Sequence, residues 1–323
     1  MTTLYNLEQI KAVMGDLDLS GPIARGFVAY SQGKSIVPPV GELIFTDPPG
    51  DTHIKYGYIR GMDYYVIKIA SGFYENPKLG LPSSSGMMMV FCRKTGRPEA
   101  ILHDEGYLTD VRTAVAGRIC AACLAPETIS GIGVLGTGVQ ARMQVEYLSA
   151  VIPCKTLYVW GRTPEKLNAY AADMTSRGYD VHSMPDPGAV AEKSNFLITT
   201  TPSETPLLFK EDIRPGTHIT AMGSDTPPKQ ELDSKIFETA RIIAADSIAQ
   251  CRTRGEISKA LAAGIIGEKD ILELGRIIET PELVNRKDGD ISIADLTGVA
   301  VQDIQIARSV YQAMGKKKNK RRF

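Results

Sequence analysis

The clearest chemical signal in the sequence is the segment Gly136-Thr137-Gly138-Val139-Gln140-Ala141. It follows the apolar run Ile132–Leu135 and precedes a helical pattern. The first glycine permits a tight turn, and the second lets a pyrophosphate approach the backbone. The free N–H groups and partial positive charge at the start of the helix favour such an anion. This context predicts a dinucleotide-binding site, with an ordinary glycine-rich turn as the alternative.

The end of the second strand in such a unit helps to determine which dinucleotide is bound. An acidic residue there binds the ribose of NAD, whereas an arginine accommodates the 2′-phosphate of NADP. The sequence has Arg162 and Thr163 after the strand, and the first carboxylate is Glu165. Arginine and threonine can both donate hydrogen bonds to a phosphate. The sequence therefore favours NADP over NAD, unless Arg162 is only a solvated surface residue.

Two later strand ends also carry polar side chains. The first is Thr199-Thr200-Thr201-Pro202, and the second is Met222-Gly223-Ser224-Asp225. Ligands of doubly wound sheets bind outside the carboxyl ends of the strands, so these hydroxyls and this lone carboxylate are candidates for a site. A turn-forming role for Asp225 is equally compatible with its neighbours.

Two cations lie in apolar surroundings in the first third of the chain. Lys68 stands inside Val66–Ala70, and Arg112 stands at the polar start of an apolar helical pattern. Burying a lysine is costly unless it is paired or used. The alternatives are an edge strand with Lys68 directed outward and a solvated arginine near Asp110.

From Ser130 onward, strand-like and helix-like segments alternate. Apolar runs predict strands at Thr156–Trp160, Phe196–Thr200 and His218–Met222, and a helix is predicted at Pro164–Arg177. This alternation predicts an α/β fold with a doubly wound, Rossmann-type parallel sheet.

The earlier part of the chain has a different pattern. Strands are predicted at Ile54–Ile59 and Tyr64–Ile69, and a helix at Leu108–Leu124, which together indicate an α+β region. A helix from Val299 to Met314 is predicted near the C-terminus.

Composition and charge bear on the partners that can be expected. The chain has 323 residues, with 37 basic and 37 acidic side chains, and the balance gives no reason to expect nucleic acid or membrane partners. Five scattered cysteines suggest neither a disulfide framework nor a metal site, so we expect a cytoplasmic protein. The basic segment 316–322 is expected to form a frayed, solvated tail, with a targeting signal or a binding patch as the alternative.

Several of these segments, in this order and spacing, resemble the ornithine cyclodeaminase/mu-crystallin family. They are Lys68, the run Leu108-Thr109-Asp110-Val111-Arg112-Thr113-Ala114, the glycine segment, Gly223-Ser224-Asp225 with Lys229-Gln230-Glu231-Leu232, and Asp295–Asp303. Together they cover nearly the whole chain, and the combination is specific although no single segment is.

The resemblance implies two domains. An NAD(P)-binding Rossmann domain is expected at residues 126–299. An N-terminal α+β domain is expected at residues 1–125, completed by the C-terminal helix in residues 300–323. The family's members imply that this second domain binds substrate and forms a homodimer.

The resemblance also implies roles for individual residues. Lys68 and Arg112 match residues that hold a substrate α-carboxylate, and Lys68 and Asp225 are the expected catalytic residues. Asp225 matches an acid/base that handles the substrate nitrogen or an attacking water. The expected cofactor-binding residues are Thr109, Gly136, Thr137, Gly138, Val139, Gln140, Arg162, Thr163, Thr200, Met222, Gly223, Thr297, Gly298 and Val299.

The chain departs from the family's cyclodeaminases at two places. Their Val-Pro-Arg-like stretch is Val37-Pro38-Pro39 here, and a later glutamate aligns with Lys55. Replacing a carboxylate by a cation disfavours ornithine and favours a substrate with a neutral or acidic side chain, for which Lys55 is a candidate binding residue. The run Gly72–Pro82 is similar to the ectoine-utilisation and iminosuccinate-reductase branches.

These implications favour an NAD(P)H-dependent imine or ketimine reductase or amino-acid dehydrogenase. It would transfer a hydride between the nicotinamide and C2 of a small imino or amino acid. The alternatives are a cyclodeaminase-type ammonia-lyase with tightly bound NAD and a non-catalytic, crystallin-like NADPH-binding protein.

Overall fold

The computed structural model describes residues 2–73 and 75–320. The strands are β1 (Thr3–Tyr5), β2 (Ser35–Ile36), β3 (Gly41–Thr46), β4 (Pro49–Ile59), β5 (Tyr64–Gly72), β6 (Ser84–Cys92), β7 (Pro98–Leu102), β8 (Ile132–Leu135), β9 (Thr156–Trp160), β10 (Asp180–Ser183), β11 (Phe196–Thr199), β12 (His218–Ala221), β13 (Ala240–Ala245), β14 (Ile271–Glu273) and β15 (Ile291–Asp295). The α-helices are α1 (Leu7–Met14), α2 (Ser20–Ser31), α3 (Tyr107–Leu124), α4 (Val139–Leu148), α5 (Pro164–Ser176), α6 (Pro187–Lys193), α7 (Ile248–Cys251), α8 (Gly255–Ala262), α9 (Leu274–Glu279) and α10 (Ala300–Lys320).

The chain divides into two compact units. The first comprises Met1–Arg112 and Val299–Phe323, and the second comprises Thr113–Gly298. The division at Arg112 lies inside α3, whereas the division expected from the sequence, after residue 125, follows the end of that helix.

The first unit is built on a largely antiparallel sheet with the strand order β1-β7-β6-β5-β4-β2, and β3 pairs with β4. Strand β5 therefore has a neighbour on each side, and Lys68 lies opposite Lys55 of β4 and Met88 of β6. The alternative in which Lys68 occupies an edge strand is wrong. Helix α10 lies against β4, β5 and β6, which brings its first turn to these charged side chains.

Strand β3 was not predicted from the sequence. Its three central residues, Leu43, Ile44 and Phe45, are all apolar and all exposed. A half-buried strand alternates apolar and polar residues, and this run does not, so periodicity could not identify it. The strand is defined instead by its pairing with β4 from Gly41↔Ile54 to Thr46↔Pro49.

The second unit contains a parallel sheet with the order β10-β9-β8-β11-β12-β15-β13-β14, as the alternating pattern predicted. Across its centre, Leu197, Ile219, Ile293 and Ile243 are aligned on four neighbouring strands, and all are buried. The strand order reverses between β8 and β11, and ligands of open α/β sheets bind at such a switch point. The glycine segment follows β8 at this place.

The helices differ slightly from the sequence predictions. Helix α3 matches the predicted helix within one residue, whereas α10 continues beyond Met314 to Lys320. The basic segment thus starts as helix rather than as a frayed end, and its last residues, 321 and 322, lie outside the described part of the chain. Within the described residues, no helix combines the length and apolarity needed to cross a membrane.

Candidate functional site

The turn after β8 requires glycine at its first position. Gly136 has φ +118°, and a Cβ atom at this position would lie 2.5 Å from Oγ1 of Thr200. Thr200 follows β11, and both its N–H and its hydroxyl donate hydrogen bonds to the Leu135 carbonyl, at 2.9 and 3.1 Å. The predicted cofactor residues Gly136 and Thr200 are therefore adjacent at the switch point.

The second glycine has a different surrounding. Gly138 immediately precedes α4, and a Cβ atom on it would meet no protein atom within 4 Å. Packing within the chain thus gives no reason for a glycine here. The space lies at a helix N-terminus, next to the half-buried Thr137 and the exposed Val139, and these residues fit a dinucleotide pyrophosphate.

A side chain of helix α4 also stabilises the glycine turn through hydrogen bonds to its carbonyl groups. Arg142 donates to the Thr137 and Gly138 carbonyls at 2.5 and 3.2 Å, and to Asp173 of α5 at 2.7 Å. Its guanidinium lies over the Tyr170 ring, 5.0 Å from the centroid. Arg142 is not among the residues predicted for the site. The signal for it in the sequence is an arginine one turn into the helix that follows the glycine turn. On the same helix, the Gln140 side-chain oxygen accepts a hydrogen bond from Gln144.

The end of β9 has no carboxylate. A Cβ on Gly161 would lie 2.6 Å from the Thr137 side chain, so this strand end is close to the glycine turn. Arg162 is exposed, and Thr163 precedes α5 without capping it through its side chain. Both predicted residues are thus available to a ligand, and Glu165 lies in the first turn of α5.

A buried glutamate joins the next two strand ends. The Glu231 carboxylate accepts hydrogen bonds from Thr199 at the end of β11, from Thr201 after that strand, and from the Gly223 N–H after β12. Met222 beside it is 8% exposed. Burial raises the pKa of Glu231 to about 7, although these hydrogen bonds act in the opposite direction.

The segment after β15 is also held by a carboxylate. Asp246 accepts hydrogen bonds from the Thr297 hydroxyl and the Gly298 N–H, at 2.9 and 2.6 Å. The Gln250 amide donates to Thr297 as well. Gly298 has φ +81°, and Val299, which follows it in the other unit, is buried.

The predicted catalytic residue Asp225 follows β12 and has a charged partner. Its Oδ1 accepts a hydrogen bond from Lys229 Nζ at 2.7 Å, and its side chain is 45% exposed. Asp225 therefore follows β12 as an ion-paired, accessible carboxylate.

In the first unit, two buried cations share one carboxylate. Lys68 Nζ lies 3.3 Å and Arg112 Nε lies 3.1 Å from opposite oxygens of Asp303 on α10. Arg112 also donates to Gln302 at 3.2 Å. Lys68 and Arg112 are 2% and 6% exposed, so the solvated alternatives for both residues are wrong.

The charge around Lys68 disfavours its protonated form. Burial, together with the Arg112 and Lys55 cations and against the opposing effect of Asp303, lowers the pKa of Lys68 to about 7. Lys55 is itself buried. The three predicted substrate-binding residues are thus brought together, and a carboxylate ligand would stabilise their charge. The predicted cofactor residue Thr109 lies half-buried in the first turn of α3.

The sequence did not identify two of the buried carboxylates in these contacts. Asp303 and Glu231 lie in segments that supported the family resemblance, but nothing local assigned them a role. Their function in the structure depends on partners distant in the chain, as for Glu231 with Thr199 and Asp303 with Arg112.

Comparison with known proteins finds relatives that match most of this chain. Alanine dehydrogenase of Archaeoglobus fulgidus is 33% identical over 315 residues, which cover 96% of this chain and 94% of that protein. A protein of Rhizobium meliloti that carries the general name dehydrogenase is 42% identical over 287 residues, covering 88% and 87%. The structure of Thermococcus litoralis Delta(1)-pyrroline-2-carboxylate reductase in complex with NADH and L-proline has a TM-score of 0.90 at 25% identity, covering 98% of each chain.

The family comparison extends over almost the whole sequence. The sequence profile named ornithine cyclodeaminase/mu-crystallin family matches residues 2–318. This span includes both the glycine turn and the buried cations. The chain belongs to the ornithine cyclodeaminase/mu-crystallin family.

Proposed function

We propose that this chain is an NAD(P)H-dependent oxidoreductase that acts on a small imino or amino acid. The observation that carries the proposal is the pair of buried cations, Lys68 and Arg112, on the single carboxylate of Asp303. Buried charges are normally paired, and two cations sharing one anion favour the binding of a second anion. The α-carboxylate of an amino acid has the required charge and can accept hydrogen bonds from both side chains.

The chemistry divides between cofactor and protein. A bound nicotinamide cofactor supplies or accepts the hydride at the substrate's C2. Lys68 and Arg112 hold the carboxylate and so fix the orientation of C2. Asp225 transfers the proton at the substrate nitrogen, so that hydride and proton together convert C=N into CH–NH. The side chain of Asp225 is 45% exposed, which leaves it accessible to a substrate.

We propose NADP as the preferred cofactor. The support is the absence of a carboxylate at the end of β9, together with the exposed Arg162 and the uncommitted Thr163 hydroxyl. The reductase of T. litoralis was solved with NADH. NAD is therefore the competing cofactor, and direct comparison of the two dinucleotides decides between them.

Lys55 supports a narrower substrate class. It lies directly opposite Lys68 on β4, and its charge lowers the pKa of Lys68. A substrate with a side-chain ammonium would add another cation near these groups. The proposal therefore favours substrates with a neutral or acidic side chain over ornithine.

A substrate screen tests the proposed reaction. Small α-keto acids would be incubated with ammonia or methylamine and either NADH or NADPH, and NAD(P)H absorbance followed. Oxidation of the cofactor that depends on both keto acid and amine supports the proposal. Release of ammonia from ornithine without net NAD(P)H turnover would instead identify a cyclodeaminase, and dinucleotide binding without either reaction would identify a non-catalytic protein.

We also propose that the chain forms a homodimer through its first unit. Strand β3 exposes Leu43, Ile44 and Phe45 by 55%, 68% and 40%. Adjacent exposed apolar residues of this kind mark interaction surfaces. The cytoplasmic location expected from the cysteines stays a prediction.

A further inference from the structure

The proposed reaction does not use Glu231, a buried carboxylate of the second unit that accepts four hydrogen bonds. Glu231 is fully buried. Its Oε1 accepts hydrogen bonds from the Thr201 N–H at 2.5 Å and the Thr201 hydroxyl at 2.7 Å. Its Oε2 accepts from the Thr199 hydroxyl at 2.7 Å and the Gly223 N–H at 3.0 Å. One side chain thus joins the carboxyl ends of β11 and β12.

A second buried carboxylate fixes Glu231 in turn. Glu256, at the start of α8, accepts hydrogen bonds from the backbone N–H groups of Glu231 and Leu232 at 2.8 and 3.1 Å. The next residue of α8, Ile257, donates its N–H to Asp295 at the end of β15. Three buried carboxylates therefore link the ends of three neighbouring strands.

The Gly223 N–H that Glu231 binds belongs to the same loop as the proposed acid/base, Asp225. We call residues 223–229 the Gly223 loop. Within it, the Ser224 hydroxyl donates to the Lys229 carbonyl at 2.8 Å, and Lys229 Nζ donates to Asp225 at 2.7 Å. These hydrogen bonds join the two ends of the loop, and Glu231 accepts a hydrogen bond from the loop's first N–H group. The Gly223 N–H is thus the anchor at the start of the loop, and the Asp225 and Pro227 carbonyls accept further hydrogen bonds from Arg254 and Lys259.

We propose that Glu231 is a positioning residue for Asp225, acting through the Gly223 N–H, and that Glu256 holds Glu231 in place. A Cβ on Gly223 would lie only 2.5 Å from Glu231 Oε2 and 2.2 Å from the Thr201 carbonyl, so the fit between loop and carboxylate is close. The kinetic consequence rests on the proposed function, whereas the effect on loop mobility does not.

The variant Glu231→Gln tests this role with little change in shape. The new NH₂ group cannot accept a hydrogen bond, so the amide has one acceptor oxygen where the carboxylate has two. Misplacement of a reacting group by about 1 Å costs about 100-fold in rate, and we expect kcat to fall by that order. The KM of the imino acid and the Kd of the dinucleotide should change by less than about threefold, because ground-state binding is retained.

Hydrogen–deuterium exchange gives a readout that is independent of activity. In Glu231→Gln, peptides that cover the Gly223 loop should exchange faster, while peptides from β8 and β15 keep their protection. Glu238→Gln is the matched control, because Glu238 is an exposed glutamate of the same unit that pairs with Lys210. It should leave both kcat and exchange unchanged.

Thr199→Val provides a second variant in case Glu231→Gln does not fold. It removes one hydrogen-bond donor to Glu231 and leaves the carboxylate and the Gly223 hydrogen bond. A single hydrogen bond to a charged group is worth about a tenfold effect or somewhat more, so kcat should fall by about tenfold, with a smaller increase in loop exchange.

Several outcomes would overturn the inference. Wild-type kcat in both variants, a rise in KM without loss of kcat, or loss of protection throughout the sheet would show that Glu231 has a general structural role. If the wild-type protein reduces no imino acid, the proposed function fails by itself. Hydrogen–deuterium exchange of Glu231→Gln then decides whether Glu231 fixes the Gly223 loop. Unchanged exchange in the loop would show that it does not.

Discussion

Arg112 and Lys68 differ as binding partners for a substrate carboxylate. A guanidinium presents its N–H donors in a fixed planar fork, whereas burial lowers the pKa of Lys68 to about 7. Arg112 is therefore the more constant partner for a carboxylate, and Lys68 can lose its proton near neutral pH. This difference makes Arg112 the better position for a test of carboxylate binding.

The variant Arg112→Ala should reduce kcat/KM by a factor on the order of 100 or more, because an unpaired buried carboxylate costs about 2–5 kcal/mol. Dinucleotide affinity should hardly change. Steady-state kinetics and fluorescence titration with NADPH measure the two quantities. Arg118→Ala, on the same helix, is the control, and near-normal turnover of Arg112→Ala would remove Arg112 from the site.

Asp225 is the proposed carrier of the proton. Asp225→Asn keeps the shape of the side chain but cannot exchange a proton. General acid–base catalysis contributes about 100- to 10,000-fold, so kcat should fall within that range while the cofactor still binds. Asp180→Asn removes an exposed carboxylate of the same unit and should have no effect. If Asp225→Asn keeps most of its kcat, the proton comes from another group.

The junction of β9 and α5 determines what can be recognised at the ribose. The strand ends at Trp160, and α5 starts at Pro164. Gly161 lies close to the Thr137 side chain, which places the junction beside the glycine turn. The side chains that can meet a 2′-substituent there are therefore Arg162 and Thr163.

Arg162→Ala should weaken NADPH binding by about 1.5–3 kcal/mol, the usual value of a hydrogen bond to a charged group, and leave NADH nearly unchanged. Isothermal titration with each dinucleotide measures the difference. Lys166→Ala, four residues later in α5, controls for a general loss of positive charge. An equal loss for both dinucleotides, or a preference of the unchanged protein for NADH, would contradict the assignment to NADP.

The buried carboxylates also affect the stability of the whole protein. Burial and the neighbouring Glu231 raise the pKa of Glu256 to about 8. The folded state therefore holds this proton more tightly than the unfolded state, whose pKa is near 4.5. Between these values folding takes up a proton, so this contribution to the free energy of unfolding decreases as the pH rises.

Comparison with Glu256→Gln isolates this effect from other titrating groups. The wild-type protein should gain stability relative to the variant on acidification from pH 8 to pH 5, by on the order of 3 kcal/mol. Urea unfolding at both pH values measures it. Glu238→Gln should show little dependence of this kind, and a pH-independent difference for Glu256→Gln would mean that Glu256 titrates normally.

The proposed homodimer can be tested on β3. Ile44→Glu places a charge on the exposed apolar strand and should give a folded monomer, because desolvating a charge at an interface is unfavourable. Size-exclusion chromatography with light scattering reports the mass. Leu79→Glu, at an exposed leucine outside β3, should leave the association state unchanged. A persistent Ile44→Glu dimer would place the interface elsewhere.

The sequence by itself determined the features that depend on neighbouring residues. The glycine turn is one example, because strand, glycines and helix follow one another between Ile132 and Leu148. The parallel strands of the second unit are another, since their buried apolar runs are continuous and bounded by turns. Lys68 stands out because a charged residue within an apolar run is unusual, and Arg112 lies at the polar start of an apolar helical pattern.

The tertiary structure decided what those residues contact. The sequence left open whether Lys68 and Arg112 were solvated, and only the packing of α10 brings Asp303 to both of them. In the same way, Glu231 acquires its donors from Thr199, Thr201 and Gly223, and Asp225 acquires its ion pair. Burial and charge pairing are set by segments far apart in the chain, and local patterns carry no information about which segments meet.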